Sequence, residues 1–186
     1  MKIYDTIKEI IDVNIFYCLI PLLIFIIFVE IFFKNRFKTK QVLNLVRWFI
    51  ISYFIIGFVH YLFGLAFFPK EFAFLNRATG PYKFAYWLMF FLAAIVPFTL
   101  FYKKLALKPF YLIFIILNMK IGWYFERFVI IVTSYHSDYS PYNDSSDLLT
   151  SWMKAILMQT LQGFILAIIV LGFFEFIEKR KATHNN

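Results

Sequence analysis

Residues 14–33 read NIFYCLIPLLIFIIFVEIFF, twenty positions with one charge, Glu30, close to the end. A helix of that length rises about 30 Å, the thickness of a bilayer's hydrocarbon core. Four more stretches have this character: 48–68, 84–102, 110–134 and 153–177. The reading is an all-α integral membrane protein with five transmembrane helices, a four-helix bundle plus one extra helix, in a single membrane domain over 1–186. The whole chain agrees. Of 186 residues 62% are hydrophobic and only 16% charged, where an ordinary soluble domain is about 45–50% apolar. So much apolar surface cannot be covered in water at this size, and the same composition excludes disorder.

Before the first stretch, Ile3, Ile7, Ile10 and Ile11 recur at helical spacing with Lys2, Asp5, Lys8 and Glu9 opposite. Residues 1–12 are therefore expected to form a short interfacial amphipathic helix lying at the membrane surface. The first span is not expected to be a cleaved signal peptide. It is long, it lacks a small-residue cleavage site, and an acidic amphipathic stretch precedes it. Pro21 and Pro97 fall inside spans, where each is expected to distort its helix.

The net charge of +8 is explained by where the cations stand. Lys34, Arg36, Lys38, Lys40 and Arg47 follow the first span; Lys103, Lys104 and Lys108 follow the third; Lys179, Arg180 and Lys181 follow the fifth. With five spans these clusters share one side, which the positive-inside rule makes cytoplasmic. The N-terminus is then outside and the C-terminus inside. The loop 135–152, with Asp138, Asp144 and Asp147, faces out. The excess charge thus reads as a topology signal meeting lipid headgroups, not as a nucleic-acid surface. One cysteine, Cys18, excludes an internal disulfide, a C-x-x-C-H haem attachment and an iron–sulfur cluster held wholly by this chain's thiolates.

An ionisable residue at membrane depth is costly, so each is a functional-site hypothesis. His60 lies mid-way along the second span, on one face with Tyr53, Gly57 and Gly64. Two readings stand: a proton acceptor or hydrogen-bond donor to a quinone-like headgroup, or a histidine bonded to a neighbouring helix in a small-residue seam. The fourth span carries Asn118, Lys120, Glu126 and Arg127. Lys120 and Arg127 are seven apart and share a face, and Glu126 adjoins Arg127. They form either a stretch of a proton path or an ion-pair network locking helices. Glu30 is near enough to the span end to reach the headgroups. Gln159 and Gln162 are placed for interhelical hydrogen bonds.

A family resemblance runs through the second half. Gly80-Pro81-Tyr82, then Tyr86-Trp87-x-Met89, Pro97, the run Ile121-Gly122-Trp123-Tyr124-Phe125-Glu126-Arg127-Phe128-Val129, and then Ser134, His136, Asp138 and Pro141 resemble the polysulfide reductase NrfD-like membrane subunits. The pattern is most similar to the quinol-oxidising membrane subunit of bacterial alternative complex III, over about 77–177. The resemblance implies a subunit of a multi-subunit quinol-linked respiratory complex that is not catalytic alone. Other membrane subunits and redox subunits would be its partners, with haem or iron–sulfur centres held by the latter. It implies no cofactor bound by this chain alone, and menaquinol or another quinol at an interface. The location would be the bacterial cytoplasmic membrane or an organellar inner membrane. It adds His136 and Asp138 to His60, Lys120, Glu126 and Arg127 as candidates for a proton path or quinol contact. Family members have eight or more spans in two bundles. This chain has five, matching the second bundle, and Lys120 stands where a neutral polar residue is expected. The alternatives are a purely structural anchor or assembly subunit, and a small transporter, which the lack of an inverted repeat disfavours.

Overall fold

The computed structural model describes residues 2–33, 36–68, 74–122, 124–125 and 145–184. Every regular element among them is helical. Helix α1 (Lys2–Ile11) leads through a π-helical turn (Asp12–Phe16) into α2 (Leu19–Phe33). Then come α3 (Thr39–Phe67), the short α4 (Phe74–Thr79), α5 (Lys83–Phe90), a π-helical turn (Phe91–Ile95), a 3-10 helix (Val96–Phe101), α6 (Lys103–Ala106), α7 (Pro109–Met119) and α8 (Ser145–His184).

Four helical stretches are long and apolar enough to cross a membrane: Thr6–Phe33, Thr39–Phe67, Lys83–Phe101 and Met153–Arg180. Their exposed residues are largely Ile, Leu and Phe. The surface is therefore suited to lipid, and the described helices fit a membrane protein. The expected span 110–134 is helical over Pro109–Met119, turns at Lys120 and is described only to Phe125. Residues 126–134, with Glu126 and Arg127, lie outside the described residues.

Both prolines leave their mark on the helical register. Pro97 has no N–H to give the carbonyl of residue 93, and its ring crowds that turn. Upstream the chain widens, so that the Val96 N–H reaches the Phe91 carbonyl in π register. Downstream it tightens into the 3-10 segment, where the Thr99 hydroxyl donates to the Val96 carbonyl at 2.5 Å and also bonds the Tyr111 hydroxyl. Ahead of Pro21 the Tyr17 N–H likewise reaches back five residues to the Asp12 carbonyl at 3.0 Å. π-turns of this kind absorb one extra residue in a helix.

The chain forms two compact units: Met1–Val46 with Ser137–Asn186, and Arg47–His136. In the first, α8 packs along α2. The contact is closest at Gly163, where an added Cβ would stand 2.5 Å from Pro21 Cγ and 2.6 Å from the Cys18 carbonyl oxygen. Only a residue without Cβ lets the two backbones come so near. Beside it Cys18 Sγ donates to Gln162 Oε1 at 3.4 Å, and the rings of Phe25 and Phe164 lie 5.5 Å apart. At the far end Lys38 Nζ and Glu178 Oε1 are 2.9 Å apart, both about half exposed. The bonded carboxylate holds the Lys38 ammonium above its ordinary pKa of 10.5. Contacts that climb together, from 18 with 162 through 25 with 164 to 38 with 178, mean that α2 and α8 run parallel.

In the second unit the 3-10 helix is fastened to α3. Arg47, only 6% exposed, donates from Nε to the Leu100 carbonyl at 2.7 Å and from Nη2 to the Phe101 carbonyl at 3.2 Å. Its guanidinium also lies 5.1 Å from the centre of the Trp48 ring. These two carbonyls end a helix whose next residue, Tyr102, is extended, so no later N–H in a helical turn serves them. A fixed fork of donors at a helix C-terminus satisfies both and opposes the helix dipole. Phe98, in the same segment, packs edge-on against Phe54 of α3 at 4.9 Å.

Candidate functional site

Lys120 closes α7. Its own N–H turns back to the Leu117 carbonyl at 3.2 Å, and the helical path resumes when the Tyr124 N–H reaches the Lys120 carbonyl at 3.0 Å. The side chain is 9% exposed and points at α3. There Nζ donates to the Tyr53 hydroxyl at 3.0 Å and lies 5.3 Å from the centre of the Tyr53 ring. Two effects keep a cation in such a place. The terminal carbonyls of α7 present the negative end of its dipole, and the tyrosine offers both an oxygen and a ring face. Next to it Asn118 turns its amide back to the Phe114 carbonyl at 2.7 Å, so it serves its own helix.

Tyr53 is the residue that links Lys120 to the face bearing His60. Seven positions of α-helix separate Tyr53 from His60, a rise of about 10 Å. Tyr53 and His60 thus stand two turns apart on one face of α3, with Gly57 between them, and Lys120 reaches that face at its Tyr53 end. His60 is half-buried. The neighbouring Tyr61 hydroxyl is 2.9 Å from that of Tyr86. Tyr86 belongs to an aromatic group with Phe74, Trp87 and Phe90, and the Trp87 indole N–H donates to the Ala78 carbonyl at 3.2 Å. Gly80 is required between these short helices, since a Cβ there would meet the Asn76 carbonyl oxygen at 2.5 Å. The Gly80-Pro81-Tyr82 and Tyr86-Trp87 signature therefore builds one corner, held by rings and by two hydroxyls.

Of the six site candidates, His60 and Lys120 are described; His60 shares a face of α3 with Tyr53, the residue that Lys120 bonds. Glu126, Arg127, His136 and Asp138 lie outside the described residues. Among the described residues no three His, Cys, Asp or Glu side chains gather in a group fit to hold a metal ion. Three residues with definite roles were not singled out from sequence. Tyr53 was read only as a neighbour of His60, and its pairing with Lys120, 67 positions away, left no signal in the sequence. Arg47 was counted only as loop charge. Gly163 left no signal beyond being a glycine in an apolar run. Comparison with family models, with curated proteins and with solved structures finds no match to this chain.

Proposed function

We propose that the chain is a five-span membrane subunit of a quinol-linked electron-transfer complex, working as scaffold and contributing a quinol-facing surface or a proton path. The observation that carries this reading is the buried Lys120 ammonium on the Tyr53 hydroxyl, on the α3 face that also bears His60. An ionisable group at membrane depth is costly and is by default a functional-site hypothesis with a named partner, here Tyr53. The aromatic corner around Tyr86 and Trp87 is built from the signature that resembles the NrfD-like subunits, and it adjoins this face through Tyr61. The bacterial cytoplasmic membrane, or an organellar inner membrane, is the location the same resemblance favours.

The parallel pairing of α2 and α8 supports the fifth crossing. Two membrane-crossing helices that run in the same direction require an odd number of crossings between them. The helices Thr39–Phe67 and Lys83–Phe101 supply two. On this reading the third is α7 with the residues that follow it in sequence, and Lys120 stands at membrane depth.

Purification in mild detergent tests the function. The chain should bring down subunits with haem or iron–sulfur absorbance, and membranes lacking it should lose quinol oxidation. A chain recovered alone, from a strain whose membranes keep full quinol oxidation without it, refutes the reading. The structural-anchor alternative is favoured by one feature, the interlocking of Arg47 with the 3-10 carbonyls. It wins if Lys120→Met and His60→Gln leave quinol turnover unchanged in an assembled complex.

A further inference from the structure

Among the described residues of the second unit there is no Asp or Glu at all, while Lys103, Lys104 and Lys108 crowd into six positions. All three are exposed. Like charges so close repel one another, and an anion bound among them relieves that cost. The turn that presents them is fully tied. The N–H groups of Leu105 and Ala106 both reach the Tyr102 carbonyl, that of Leu107 reaches Lys103, and that of Lys108 reaches Leu105, all within 3.2 Å. Ala106 is wholly buried beneath it. Arg47 takes the two carbonyls just upstream, so the negative end of the 3-10 helix is already neutralised and leaves the lysines free of that duty. Exposed aromatic side chains flank the turn: Tyr102 at 61%, Phe110 at 72%, and Trp48 beside Arg47 at 50%. Amphipathic rings and exposed lysines at the end of apolar helices match the headgroup level of a bilayer.

We propose that the turn 102–108 is a binding site for the phosphate of an anionic phospholipid headgroup, with Lys103, Lys104 and Lys108 as its charges and Tyr102 as a hydroxyl donor. The occupant is a lipid because the site opens beside lipid-facing apolar helices and because its acyl chains would lie on the exposed faces of Phe101 and Phe110. The proposal rests on the chain being a membrane protein but on no redox role, so it survives the failure of the quinol reading.

The test uses the full chain reconstituted into vesicles of equal phosphatidylcholine and phosphatidylglycerol, released into mild detergent and weighed by native mass spectrometry with its retained lipids. Phosphatidylglycerol should be enriched about fivefold over phosphatidylcholine, the factor one lysine contributes near an anionic surface. The triple variant Lys103→Gln, Lys104→Gln, Lys108→Gln should lose the enrichment. The tail variant Lys179→Gln, Arg180→Gln should keep it, and so should a triple Lys→Arg variant. If the triple Gln variant fails to fold, Lys104→Gln alone should lower the enrichment measurably. No enrichment in the parent, or full enrichment in the triple or in Lys104→Gln, overturns the proposal. So does loss in the tail variant. Inorganic phosphate and chloride, added at matched ionic strength, should reduce the lipid signal equally. Selective displacement by phosphate assigns the turn to a free anion and overturns the headgroup assignment.

Discussion

Arg47 Nε and the carbonyl oxygen of Leu100 are 2.7 Å apart, although 53 positions separate the residues. This bond and its companion to Phe101 join the second apolar helix to the third at a point where Pro97 has already disrupted regular helix. A buried guanidinium here replaces the backbone N–H groups that an uninterrupted helix would have supplied.

Arg47→Gln should therefore lower stability by about 3 kcal/mol, the loss of two hydrogen bonds to a charged group. Arg47→Lys should recover only part, because an ammonium cannot reproduce the fork. The check is the unfolding midpoint in detergent. Equal midpoints for all three proteins would mean that other donors serve the two carbonyls.

Gly163 and Gly172 lie on the same helix and form a matched pair. A Cβ at 163 collides with Cys18 and Pro21, whereas a Cβ at 172 meets nothing within 4 Å. Gly163→Ala should cost about 1–3 kcal/mol by overpacking. Gly172→Ala should be neutral or slightly stabilising, since alanine favours helix. Comparable losses at both positions would contradict the close approach of α2 and α8.

Tyr53→Phe removes the oxygen that Lys120 donates to but keeps the ring. It should cost about 0.6–1.7 kcal/mol, the range for hydrogen bonds between membrane helices. The double variant with Lys120→Met should be less destabilised than the sum of the two single changes, since each single change leaves one polar group behind. Additive losses in this double-mutant cycle would show that the two residues are not coupled.

The Lys38–Glu178 pair supplies the pH dependence. The folded-state pKa of Lys38 is raised above 10.5 by Glu178. A raised amine contributes stability that is whole below 10.5 and disappears as the pH climbs through the folded value. Wild type should thus exceed Glu178→Gln by a small margin at pH 8, and the margin should close under strong alkali. The effect stays small because both groups are about half exposed. A gap that persists unchanged above the lysine pKa would assign it to something other than this charge pair.

Much of the architecture was legible in apolar run length. Hydrophobicity and helical rise are properties of local sequence, so 14–33, 48–68, 84–102 and 153–177 each coincide with a helix long enough to cross. The run 110–134 is described only to Phe125: α7 ends at Met119 beside the buried Lys120, and the helical path resumes after it. Charge in loops indicated a side for each end of the chain but gave no partner for Arg47, which works inside the fold. Gln162 was read as an interhelical hydrogen-bonder and does accept from Cys18; a polar amide in an apolar run has few other options.

By itself the sequence determined that the chain is helical and suited to a membrane, because burying backbone polar groups in so apolar a chain leaves helices as the economical solution. It also determined that Pro21 and Pro97 would disturb their helices, since a missing N–H is a local fact. Tertiary structure alone decided that α2 and α8 run parallel with Gly163 against Pro21, that Arg47 ends the 3-10 helix, and that Lys120 meets Tyr53 on the face of α3 that bears His60. Each of these joins residues dozens of positions apart. Such pairings depend on helix direction and on rotation about the helix axis, and composition and periodicity constrain neither.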